Sequence, residues 1–253
     1  MSRLTHAQHL QELQRSLTML GSIAAEDLDL PVPTCPGWKL RDLFGHLGRV
    51  HRMGLAVIST GAMIPASPKD LAPVPEGNDE IRDYFLSSSA TLLHDLEVTD
   101  PTSPCWTFLG TGDTVSFWSR RMANEHAVHL FDAQRALDPE AAPQTAARSA
   151  CDAIDEYVIM VNARVLSKRP DFSLGGTLHL HATDDAEGEW MFSSAPGRLI
   201  AEGGHGKGDA AVRGTAAGLL LGAWGRLSLT TDARFERFGD DAVIANFAGI
   251  GGN

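Results

Sequence analysis

Apolar residues near the start of the chain recur at three- and four-residue steps: Leu10, Leu13, Leu17, Leu20 and Ala24. That period lines one stripe of a helix, predicted from about Thr5 to Leu28. Pro31, Pro33, Pro36 and Gly37 forbid its continuation. A second helix opens near Trp38, with Leu43, His46, Leu47 and Val50 on one face. Asp42 falls in its first turns, where the helix dipole favours an anion. Residues 61–79, rich in Pro, Ala and Gly, read as a loop. A third helix is predicted from Glu80 to about Leu96, marked by Ile81, Phe85, Leu92 and Leu96. The turn-rich stretch that follows leads into a fourth, roughly Phe117 to Ala136, ended by Pro139 and Pro143. A fifth runs from about Ala146 to Leu166. Five successive helices predict an up-and-down bundle.

Beyond Pro170 the period shortens. Leu178, Leu180 and Ala182 alternate with His179, His181 and Thr183, a strand pattern. Residues 184–188 form a turn, and 189–194 return as the second strand of a hairpin. Residues 198–204 and 210–214 read as two more strands. Residues 215–227 and 241–250 read as helices. The expected class is α+β: an N-terminal up-and-down helical bundle over residues 1–168 and a small C-terminal α+β domain over 169–253.

Composition narrows the function. The chain has 21 Lys+Arg against 32 Asp+Glu, a formal net charge of −11, and a mean hydropathy of −0.10. An acidic chain repels phosphate, so nucleic acid is not an expected partner. Cys35, Cys105 and Cys151 are odd in number and lack metal-type spacing. They argue against a disulfide scaffold and for a reducing compartment. No signal peptide is visible, and the apolar run Leu219 to Trp224 is too short to span a bilayer. A soluble cytoplasmic protein without a membrane partner is expected.

The chemistry concentrates between Arg120 and Asp132. At about 100° per residue, Glu125 and His129 lie one turn apart and roughly 40° from each other. Asp132, seven residues after Glu125, returns to the same stripe. A carboxylate and an imidazole so placed can bind one divalent cation, with a third ligand from a facing helix. His46 is the natural third ligand, because an imidazole on an apolar face costs free energy without a partner. Three ligands leave coordination positions open, as catalytic metals do. The donor set suits Zn²⁺ best, with Fe²⁺, Mn²⁺ and Ni²⁺ also compatible. Spacing alone leaves other readings open. Glu125 and His129 could be an exposed i,i+4 pair, His46 a satisfied core histidine, and Asp132 a surface partner of Arg135. His51, His94 and His126 compete as ligands.

The segment Val32-Pro33-Thr34-Cys35-Pro36-Gly37-Trp38, followed by Leu40-Arg41-Asp42-Leu43-Phe44-Gly45-His46-Leu47, resembles the maleylpyruvate isomerase family of mycothiol-dependent enzymes. So does Asn124-Glu125-His126-Ala127-Val128-His129-Leu130-Phe131-Asp132. The resemblance implies a DinB-like metal-binding bundle and a C-terminal domain similar to a sterol-carrier fold. It implies that His46, Glu125 and His129 bind the divalent metal, zinc in most members. Asp132 is expected to orient a ligand from behind. Arg226 is expected to contact an anionic part of substrate or thiol. Arg120 and Arg121 are further candidates, although two arginines early in a helix suit a solvated face. Asn124 stands where many relatives have His, and Lys39 where many have Ser or Thr that would cap the second helix.

The resemblance therefore implies a metal-dependent enzyme using mycothiol, with a small electrophile as substrate. No catalytic side chain is expected, since the metal-activated thiol is the nucleophile. Maleylpyruvate-type isomerisation and S-transfer share such a site. The alternatives are a non-catalytic bundle that binds a small ligand and a thiol-independent metal hydrolase.

Overall fold

The computed structural model describes residues 3–64, 71–110 and 114–251 of the chain. Residues 65–70 of the expected loop, and 111–113 of the turn-rich stretch, lie outside the described residues. The described residues fall into two compact units, those within Thr5–Ala142 forming one and those within Pro143–Asn253 and Met1–Leu4 the other. The class is α+β. No described helix is long and apolar enough to cross a membrane.

The first unit contains helices α1 (His6–Gly21), α2 (Leu40–Ile58), α3 (Asn78–Val98) and α4 (Val115–Leu137). Helix α1 packs chiefly on α4, and α2 on α3. Thr5 opens α1 with a reciprocal cap. Its hydroxyl accepts from the Gln8 N–H at 3.3 Å, and its own N–H donates to Gln8 Oε1 at 2.8 Å. Helix α1 ends at Gly21, short of the predicted end. A 3₁₀ turn over Ala25–Asp29 carries Leu28 into the core instead, which extends the apolar pattern past the true helix end. Leu13, Leu20, Leu43, Phe44, Phe85, Leu92 and Trp118 fill that core. The Phe44 and Phe85 rings meet at 4.7 Å. Gly48 lets α3 approach α2 closely: a Cβ there would lie 2.5 Å from the Tyr84 ring.

The second unit begins with α5 (Ala147–Arg164). This is the helix expected to be fifth in the bundle. It packs instead on the next helix, α6 (Ala216–Ala223), and on the C-terminal sheet, so the described residues of the first unit hold four α-helices and the division falls near Ala142 rather than residue 168. The cause is its apolar face. Tyr157 meets Trp224 at 5.0 Å and Phe247 at 5.9 Å between ring centroids. Asn162 also donates to the Leu199 carbonyl and accepts from its N–H, both at 2.8 Å. Strands β1 (Leu178–Ala182), β2 (Glu189–Ala195), β3 (Arg198–Gly203), β4 (Ala210–Gly214) and β5 (Glu236–Gly239) form one mixed sheet, ordered β3-β2-β1-β4-β5. Only the β1–β4 pair is parallel. Leu180, Phe192 and Val212 are buried, and α7 (Asp241–Gly251) brings Phe247 to 4.9 Å from Phe192. Strand β5 was not predicted. It is a four-residue edge strand, with no residue buried, that carries too little alternation to be read.

Candidate metal centre

The chain enters α2 through a compact loop. Val32 N–H donates to Trp38 O at 2.8 Å, and Gly37 takes φ +85°, a left-handed value natural to glycine. At the helix start the Asp42 carboxylate accepts from the Lys39 N–H at 2.8 Å. The Lys39 ammonium, unable to cap, pairs with Asp29 at 2.9 Å. This loop sets Thr34, Cys35 and Trp38 beside α4, and the helix then delivers His46.

His46 Nε2 lies 3.0 Å from Glu125 Oε1, and His129 Nε2 lies 3.5 Å from the same oxygen. The three donor atoms fall within 4.8 Å of one another. The expected trio from two helices is thus brought together, and the readings of an exposed Glu125–His129 pair and of a core His46 do not hold. His46 is the most open member, with its side chain 34% exposed, whereas His129 is buried. Its imidazole faces a groove of about 620 Å³ lined by Trp38, Arg41, Arg49, Val74 and Glu76.

Asp132 is fully buried rather than paired with Arg135 at the surface. Its carboxylate lies 2.8 Å from His129 Nδ1. It also accepts from Thr34 Oγ1 at 2.5 Å and Cys35 Sγ at 3.4 Å. A carboxylate only accepts, so His129 carries its proton on Nδ1 and turns the Nε2 lone pair toward Glu125 and His46. That tautomer is the one a metal at Nε2 requires. Cys35, His129 and Asp132 also cluster closely, but all three are buried and linked to one another by hydrogen bonds.

Arg121 is not solvated. It is buried and pairs with Glu125 Oε2, one turn away. Arg120, half-buried, lies outside this pair. Trp38 stacks on His129, with centroids 6.3 Å apart and planes at 13°, and its ring lies 5.4 Å from that of His46. Thr34 and Trp38 were not read as parts of the site, and Arg121 was read only as a further candidate for an anion contact, not as the partner of Glu125. The i,i+4 spacing of Arg121 and Glu125 is the one local signal that could have revealed a member.

The competing histidines are used elsewhere. His51 and His126 face each other, Nε2 to Nε2, at 2.7 Å. His126 Nδ1 lies 2.7 Å from the Met122 carbonyl and must donate to it. Its Nε2 therefore accepts from His51, whose Nδ1 accepts from the Ser88 hydroxyl at 3.0 Å. Burial, reinforced by the neighbouring His126 and the charge of Arg52, holds His51 well below the usual histidine range. Burial outweighs the Met122 hydrogen bond and pushes His126 down to about 3. His94 is exposed on α3 and joins no metal-type cluster among the described residues. Arg226, half-buried after α6, donates to Trp224 O at 2.8 Å; it belongs to the other unit.

Comparison with known proteins agrees with this architecture. The family described as mycothiol maleylpyruvate isomerase N-terminal domain matches residues 9–134, and the MDMPI C-terminal domain matches residues 148–246. The chain is similar in fold to the crystal structure of a mycothiol-dependent maleylpyruvate isomerase, at 17% identity and a TM-score of 0.57, over 92% of this chain and 93% of that one. A histidine-to-alanine mutant of a mycothiol-dependent maleylpyruvate isomerase is also similar, at 16% identity and a TM-score of 0.53, over 89% and 91%. No curated protein matches the sequence.

Proposed function

The chain belongs to the mycothiol maleylpyruvate isomerase family, and from that premise we propose that it is a metal-dependent, mycothiol-using enzyme acting on a small electrophile. The observation that carries this reading is the convergence of His46 Nε2, His129 Nε2 and Glu125 Oε1, with Asp132 fixing the His129 tautomer. Two imidazoles and a carboxylate suit Zn²⁺, and three protein ligands leave positions for a thiol. A bound divalent cation supplies Lewis acidity that lowers the pKa of a coordinated thiol.

The residues of the chain have distinct tasks. His46, Glu125 and His129 hold the cation. Asp132 keeps the His129 proton on Nδ1, away from the ion. Arg121 holds the second oxygen of Glu125, so the carboxylate presents Oε1 to the site. Trp38 covers the two imidazoles and limits water at that edge. Arg41 and Arg49 share the groove wall beside His46 with Asp42 and Glu76, so the wall offers polar groups of both signs to a substrate. Arg226 is assigned to an anionic group of substrate or thiol by family resemblance. The reaction class is thiol addition to an electron-poor carbon, with thiol expulsion completing a cis–trans isomerisation and thiol retention completing S-transfer. No protein nucleophile is needed, and Cys35 is engaged with Asp132.

The test is turnover of a panel of electrophiles, including cis-configured unsaturated acids, with and without mycothiol and zinc. Turnover that needs both supports the reading. Turnover without thiol points to a hydrolase, and binding without turnover to a carrier; either result rejects it.

A further inference from the structure

The C-terminal sheet carries a second convergence of ligand-type side chains, wholly within its own unit. Along β1, Leu178, Leu180 and Ala182 are buried, and the alternating positions His179 and His181 share the opposite face. The β1–β2 register sets Glu189 directly across from His181, and the neighbouring pair is His179 with Met191. Glu189 is therefore diagonal to His179, within reach of a long side chain. After β3, Gly204 takes φ +119°, a conformation that side-chain-bearing residues rarely adopt, and its N–H donates to the Glu189 carbonyl at 3.1 Å. That turn returns the chain over β2 and brings His205 to the same carboxylate.

Three imidazoles thus surround one carboxylate. His179 Nε2 and His205 Nδ1 lie 3.0 and 2.8 Å from Glu189 Oε2, and His181 Nδ1 lies 3.3 Å from Oε1. The four donor atoms all fall within 4.8 Å of one another. We propose that His179, His181, Glu189 and His205 form a second metal site, selective for a zinc-class divalent cation.

Zinc–nitrogen and zinc–oxygen bonds of about 2.0–2.2 Å place tetrahedral ligands roughly 3.3 Å apart. The three nitrogen–oxygen separations are already at or just below that spacing, so small side-chain shifts admit an ion. Three of the four ligands sit on paired strands, which limits the reorganisation that binding requires. The strand cation opposite His181 is engaged: Arg213 on β4 pairs with Glu236 at 3.0 Å. Four protein ligands close a tetrahedral shell, in contrast to the open trio of the first unit. The ion therefore staples β1, β2 and the segment after β3, and its role is structural. The strand alternation exposes the His179–His181 pair to sequence reading, but Glu189 and His205 join it only through register and the Gly204 turn.

The experiment counts ions. Full-length protein carrying His46→Ala and His129→Ala, which disables the first centre, is loaded with Zn²⁺ or Co²⁺, gel-filtered, and analysed by mass spectrometry for metal per chain. One retained ion per chain is expected, with the visible spectrum of four-coordinate cobalt and a melting temperature raised by zinc. Adding His205→Ala, whose side chain is 78% exposed, together with Glu189→Gln, leaves the sheet folded and should weaken binding at least tenfold. Absence of a retained ion in the first variant overturns the proposal. Retention unchanged by the second pair of substitutions overturns it equally. Because the first centre is silenced throughout, the outcome is independent of the proposed enzyme activity.

Discussion

Replacing Asp132 with Asn isolates the influence of a buried carboxylate on a proposed metal ligand it does not replace. Asp132 has no exposed surface and meets Thr34, Cys35 and His129 Nδ1. Asn keeps the shape and removes the charge. If its amide oxygen faces His129, the tautomer survives, but a charge-assisted hydrogen bond becomes a neutral one of about half the strength. If its NH₂ faces His129, the imidazole must move its proton to Nε2, the atom that faces Glu125, and a metal cannot bind there. Both orientations weaken the site. Loss of such a supporting carboxylate costs about 10- to 100-fold in metal affinity, or roughly 1.4–2.7 kcal/mol. Stability without metal should change far less, since the weaker hydrogen bonds are offset by relief from burying a charge. The assay is zinc competition against a chromophoric chelator in a His205→Ala, Glu189→Gln background, with urea unfolding of the metal-free protein alongside. Zinc affinity within about twofold of the parent would refute the tautomer argument.

Three further outcomes are expected. Gly48→Ala places a Cβ 2.5 Å from the Tyr84 ring; overpacking of about 1–3 kcal/mol exceeds the ~1 kcal/mol gained in helix propensity, so the urea midpoint should fall, and an unchanged or higher midpoint would contradict the packing described. Burial holds His51 and His126 neutral, with pKa values lowered in the folded state. The unfolded chain therefore binds more protons once pH falls below about 6.5, and the folding constant should drop by up to roughly tenfold per pH unit for each of the two, continuing toward the folded-state values. Urea unfolding of the metal-free protein from pH 8 to 5 measures this, and a flat profile would be wrong for a neutral buried pair. Burial, with the charge of Asp185 next in size, pushes the Cys151 thiol up to about 12; iodoacetamide at pH 8 should leave Cys151 of the native protein unlabelled by mass spectrometry, and labelling at the rate of the unfolded chain would count against that environment.

Legibility of the chain followed the range of the interactions involved. Helices α2, α3 and α4 were readable because each carries a long apolar stripe bounded by Pro, Gly or turn residues. The end of α1 was overrun because Leu28 extends the stripe from a 3₁₀ turn. Helix α5 was seen as a helix but assigned to the wrong core, because a 3.6-residue period reports a buried face and not the surface that buries it. Edge strand β5 was too short to register. At the site, Glu125 and His129 were legible as one turn of helix, and His46 as a polar residue on an apolar face. Family resemblance selected the trio from its competitors. Thr34 and Trp38 meet the site through tertiary packing, which no local period encodes, whereas Arg121 reaches Glu125 one turn away on the same helix. The His51–His126 pair depends on two helices facing each other in register and was equally hidden.

The central claim is that His46, Glu125 and His129 hold one cation with room for a sulfur ligand. X-ray absorption at the zinc edge of His205→Ala, Glu189→Gln protein loaded with one zinc equivalent tests it directly, with and without mycothiol. The account predicts a nitrogen and oxygen shell at about 2.0–2.1 Å alone, and one added sulfur at about 2.3 Å when the thiol is present. His46→Ala should abolish both signals. Zinc that stays bound without His46, or a spectrum that gains no sulfur, would contradict it.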